Sequence, residues 1–194
     1  DFLAANNSKF NVERSGVYGY DGDVSDGWTI WNQAYSDANP NAKLTPGQGF
    51  LVGTNTDGID FNFTSSMRVT GNSDDFIAGR QTNTNTISYL QLKLSNNSDS
   101  YKTDFYITDN ATLGKDPNYD SAIFGVTPTF AIYSDLVEES TGQPIGVQSI
   151  GNTELAEVII PLGVNVIAGE QTEFSISETT LEEGVKVYLE DKQN

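Results

Sequence analysis

Acidic side chains crowd two short stretches of this chain, and oxygen-rich loops of that kind are where a hard cation such as calcium would bind. The first stretch is Asp21-Gly22-Asp23-Val24-Ser25-Asp26-Gly27. Calcium takes about six to eight oxygen ligands, and carboxylates at alternate loop positions can wrap one ion. Asp21, Asp23 and Asp26 have such a spacing. The twelfth position of the loop carries Asn32 instead of an acid, and the glycine spacing departs from an EF-hand. A solvated Asp/Gly hairpin turn is therefore the competing reading. The second stretch brings Asp109, Asp116, Asn118 and Asp120 into a connection that also holds Gly114 and Pro117. Asx turns compete with a metal site here too. Tyr119 is expected to plug the core and Asp120 to cap a short turn at Ser121–Ile123. Calcium is the cofactor these patterns suggest, and they suggest no other.

A third group is aromatic: Tyr18, Tyr20, Trp28, Trp31 and Tyr35. Exposed rings stack on the apolar faces of sugars, so these are candidate ligand-binding residues. Trp28 and Trp31 are three apart and must face opposite sides of a strand, one toward a core and one away. The alternative is that both rings pack, since aromatics bury much apolar area.

What is missing narrows the chemistry further. The chain has no Cys and no His. Disulfides, thiolate metal sites and cysteine nucleophiles are excluded. So are Ser-His-Asp triads, histidine zinc sites and imidazole bases. Acid pairs of the kind glycosidases use are too common in this composition to single one out. Glu182-Glu183 reads as a solvated turn. No catalytic residue is assigned, and the chain is expected not to be an enzyme.

The formal net charge is −17, with 10 acids and 6 bases in residues 1–97 and 17 acids and 4 bases in residues 98–194. Phosphate contacts need clustered Lys and Arg, so nucleic acid is not an expected partner. No apolar run approaches the ~20 residues of a membrane-spanning helix, so membrane insertion is not expected either.

The elements that would position these residues are strands. Ile59, Phe61 and Phe63 alternate with polar neighbours, as do Leu90, Leu92 and Leu94; Phe105 and Ile107; Phe174 and Ile176; and Val185, Val187 and Leu189. A period of two places one face of each strand in a core and the other in water. Val17–Tyr20, Trp28–Asn32, Phe50–Thr54 and Phe130–Tyr133 read as further strands. Val158–Val164 does too, with Pro161 arguing for an edge or bulge. Asp57-Gly58 reads as a hairpin turn into Ile59–Phe63. A short helix capped by Asp1 is expected over the first five residues. No segment keeps a helical period over three turns. The economical architecture is an all-β, antiparallel, jelly-roll-like β-sandwich of about a dozen strands with minimal helix. It forms one module over residues 1–194, or two small sandwiches split near 109–120.

Several segments, in order, resemble secreted surface proteins of Bacteroidetes. Lys43-Leu44-Thr45-Pro46-Gly47-Gln48-Gly49-Phe50-Leu51-Val52 resembles their "PxGQGFFV" strand entry, and Ser65-Ser66-Met67-Arg68-Val69 the "NSMRV" that follows. Leu90–Asn96 resembles "RLNLTN", and Ala111–Asp120 resembles "ATxGxDxGYDA". Ile159-Ile160-Pro161-Leu162-Gly163 resembles "VPLG", and Leu181–Asp191 resembles "LPEGVxVYLED". Such regions precede the C-terminal sorting domain of proteins exported by the type IX secretion system. The resemblance implies an extracellular or surface-attached location and neighbouring domains in a parent protein. The start at Asp1, without Met, fits an excised fragment. The expected function is a non-catalytic adhesion or structural module. The alternative is a calcium-steadied carbohydrate-binding module whose partner is a polysaccharide.

Overall fold

The computed structural model describes residues 1–20, 28–71 and 87–192. Its described residues form ten strands and two short helices. Helix α1 (Phe2–Asn6) is followed by β1 (Val17–Tyr20), β2 (Trp28–Trp31), α2 (Gln33–Ala38) and β3 (Leu51–Val52). After these come β4 (Ser88–Ser95), β5 (Ser100–Ile107), β6 (Ser121–Ala122), β7 (Ala131–Ser134), β8 (Ile145–Ile150), β9 (Leu162–Asn165) and β10 (Glu173–Thr179). The all-β reading holds.

The described residues form two sheets. The smaller has the order β2-β1-β3. The larger runs β10-β4-β5-β8-β7-β9, with β6 pairing beside β8. Among the described residues every ladder is antiparallel except β5 with β8, which run parallel. The expectation of purely antiparallel sheets is corrected there. A parallel neighbour needs a long crossover, and residues 108–144 between these strands supply it.

The β4–β5 hairpin shows how sequence sets register. The Asn96 side chain accepts from the backbone N–H groups of Ser98 and Asp99 at 2.8 and 2.6 Å, an Asx turn that closes the hairpin. Leu90, Leu92 and Leu94 then oppose Phe105, Thr103 and Tyr101. Leu94 and Tyr101 meet Ala131 and Ile132 of β7, although β8 lies between β5 and β7 in the sheet, so the large sheet curls over this face.

The opposite face, read from sequence as solvated, is covered. Tyr89, Tyr106 and Val147 form a second cluster with Tyr18 and Ile30 of the small sheet and with Ala34 and Ala38 of α2. Helix α2 starts where Asn32 accepts the backbone N–H of Tyr35 at 3.1 Å, an ordinary N-cap. The small sheet thus seats Tyr106 in a core, not in water.

Two expected strands are absent among the described residues. Ile59–Phe63 has the right period but pairs with no strand. The Asn6 amide replaces a strand partner, donating to Asn62 O at 3.0 Å and accepting from Asn62 N–H at 2.6 Å. The Phe61 and Phe63 rings stack on Phe2, with centroids 6.1 and 4.8 Å away. Val185–Leu189 is likewise outside any strand. Asp1 occupies the N-cap of α1, but its side chain makes no capping bond.

Candidate functional site

The second acidic stretch sits between the two sheets and is largely committed to holding them. Asp120 is fully buried. One of its carboxylate oxygens accepts the Ser149 N–H from β8, and the other accepts the Asp116 N–H, both at 2.7 Å. Asp116 accepts from Thr112, through its N–H at 2.5 Å and its hydroxyl at 3.0 Å. Asp109 accepts the side-chain amide of Asn152 at 2.6 Å. Asn118 takes a left-handed backbone (φ 76°), and its carbonyl accepts the Gln33 N–H at 2.9 Å. Tyr119 packs against the inter-sheet core as expected, and its carbonyl accepts from Asn32 at 2.7 Å and Ser149 at 2.9 Å. Asp120 does not cap a turn, because Ser121–Ala122 is strand β6.

Burial drives the electrostatics of this cluster. Desolvation pushes the Asp120 carboxyl up to about 7, against the pull of its two backbone donors and of Lys115. Burial also pushes the Lys115 amine down, opposed by the charges of Asp120 and Glu13. The Lys115 amine lies 3.7 Å from the Glu13 carboxylate. Glu13 and Lys115 went unnoticed in the sequence. The available signal was a single base inside an acidic loop.

A second, half-buried acid was also missed. Asp104 on β5 accepts from the Tyr89 hydroxyl at 2.6 Å and the Gln91 amide at 2.8 Å. Burial raises its carboxyl above the usual range, with those two hydrogen bonds pulling the other way. The small sheet that covers this face lies far away in sequence.

The aromatic candidates divide. Tyr18 is fully buried and donates its hydroxyl to Ala122 O at 2.8 Å, so that ring serves the core. Trp28 is half-buried on the core side of β2, its ring 5.9 Å from Phe124 and 5.5 Å from Tyr20. Tyr20 is 58% exposed at the end of β1. Trp31 faces the other way, half-buried, 5.1 Å from Tyr35 and donating its indole N–H to Ser36 at 2.6 Å. The opposite-face reading of the two tryptophans is what the register of β2 with β1 places.

Asp21, Asp23 and Asp26 lie outside the described residues. Among the described residues no three His, Cys, Asp or Glu side chains form a group that could hold a metal ion. Asp116 and Asp120 instead point their oxygens at backbone amides. No described helix is long and apolar enough to cross a membrane.

The family described as "Domain of unknown function (DUF8693)" matches residues 4–194. The chain belongs to that family. No curated protein and no solved structure matches it. What this DUF8693 chain can do is set by its side-chain chemistry. Its buried Asp120 pins the 109–120 connection to β8, and the most accessible of its candidate ligand-binding rings is Tyr20, beside Trp28.

Proposed function

We propose that this domain is a non-catalytic display module of a surface protein exported by the type IX route, working as an adhesion or spacer element among neighbouring domains outside the cell. One observation carries the reading. The carboxylates that could have done chemistry at the sheet junction are spent on backbone amides, with Asp120 bridging Asp116 and Ser149. Such a group rigidifies a connection and leaves little freedom to meet a substrate. The ordered resemblances from Lys43 to Asp191 support a location outside the cell. The high negative charge suits a domain that stays soluble.

A second reading is favoured by Tyr20 and Trp28. A 58% exposed ring beside a half-buried indole at the end of a strand pair is a platform of the size a sugar ring covers. Affinity electrophoresis in gels cast with plant and marine polysaccharides separates the two readings. A display module migrates at the same rate in every gel. Retardation in one polysaccharide, abolished by Tyr20→Ala, would replace the first reading with the second, and any calcium role would then appear as loss of retardation in chelator.

A further inference from the structure

We propose that a second copy of this chain adds its 185–189 segment as a strand to the open edge of β9, and that the exchange is reciprocal. The two edges of the large sheet are treated differently. Edge strands invite pairing with other chains, and proteins blunt them with charge, bulges or proline. Strand β10 is blunted: it carries Glu173 and Glu178, and its register slips between Ile176 and Glu178. Strand β9 is not. Residues 158–168 contain no charged side chain, and among the described residues β9 pairs only with β7. Pro161 stands just before the strand, outside the ladder.

The face that β9 continues is apolar and unfinished. Val164 opposes Ile132, a core residue, yet Val164 is 42% exposed. On the other face the Tyr133 ring lies over Gly163, where even a Cβ would meet it at 2.2 Å. The edge is therefore uncharged, and apolar on its core side.

The same chain carries a segment of matching period that pairs with no strand among the described residues. Val185, Val187 and Leu189 alternate with Lys186 and Tyr188, and a turn bond from Val185 N–H to Glu182 O (3.0 Å) opens the segment. Val187 and Leu189 are 43% and 58% exposed. Laid beside β9, the Val-Val-Leu face would continue the Leu162–Val164 face. The other face would bring Tyr188 toward the ring of Tyr133. The segment's own hairpin position, beside β10, would set Glu190 and Asp191 against an already acidic edge. The neutral β9 edge of another copy carries no such repulsion. Because every copy has one donor and one acceptor, a reciprocal pair closes as a two-fold dimer.

Sedimentation velocity from micromolar to millimolar protein tests this. The expected result is a species of twice the chain mass that forms with rising concentration. Val164→Lys spoils the acceptor and Val187→Glu spoils the donor, and each alone should be monomeric. Mixed, they retain one intact donor–acceptor pair and should form a heterodimer. Excess peptide of residues 184–191 should convert the wild-type dimer to a peptide-bound monomer, a readout that needs no folded variant. A wild-type chain that stays monomeric at millimolar concentration, or a dimer indifferent to both substitutions and to the peptide, overturns the proposal. Neither outcome bears on whether the domain displays or binds a glycan.

Discussion

Asp120→Asn should abolish a pH dependence of stability that the wild-type chain carries. In the folded chain burial holds the Asp120 carboxyl up to about 7. An unfolded Asp titrates near about 3.9. Between those values the folded chain keeps a proton that the unfolded chain has released. Stability from this group is thus fully present below about 3.9 and is lost as pH rises toward about 7. The interval of about 3 pKa units corresponds to roughly 4 kcal/mol, at about 1.4 kcal/mol per unit. Asparagine has no proton to hold. It keeps an acceptor for the Ser149 N–H but turns its NH₂ toward the Asp116 N–H, a fixed loss of about 1–3 kcal/mol. Urea unfolding of both proteins from pH 4 to pH 7.5 measures the difference, and the other titrating groups largely cancel in it. Wild type should exceed the variant most at the acid end, and the gap should shrink by a few kcal/mol toward neutral pH. A gap that stays constant, or one that widens with pH, would refute the reasoning and mean that Asp120 is ionised throughout.

Two further substitutions probe the packing. Gly163→Ala should cost about 1–3 kcal/mol, because its Cβ must displace the Tyr133 ring. In a Tyr133→Ala background the same change should cost markedly less by thermal melting. Asn6→Ala removes both amide bonds to the Asn62 backbone. It should cost about 1–3 kcal/mol and, by limited proteolysis, open the chain between residues 57 and 64 before the rest unfolds.

Where neighbours in sequence are also neighbours in space, the fold was legible. The β4–β5 hairpin follows from alternating leucines and the Asn96 turn, and β1 and β2 follow from runs of aromatic and β-branched residues. Legibility failed where distant segments decide. Gln148 and Ser149 are polar yet fully buried, so β8 does not read as a strand although it lies at the centre of the large sheet. Tyr106 reads as solvated until the small sheet covers it. Ile59–Phe63 has a strand's period, but Asn6 and Phe2 reach it first. Val185–Leu189 has the same period and no partner within the chain's described residues.

The site was half legible. The crowding of acids around residue 116 was visible, and it marked a place where the structure concentrates polar contacts. What spacing could not reveal is where the oxygens point. Asp116 turns back on Thr112, and Asp120 turns inward to β8. Lys115 and Glu13 join them only because the segment before β1 folds against the connection.

Amide hydrogen exchange at Asp116 and Ser149, read by NMR in chelator and then in calcium, bears most directly on whether Asp120 pins the 109–120 connection to β8 or serves an ion. Both amides should exchange only through global unfolding, with the same protection in the two buffers. Rapid exchange in chelator that becomes protected on adding calcium would contradict the account and make the 109–120 connection a metal loop.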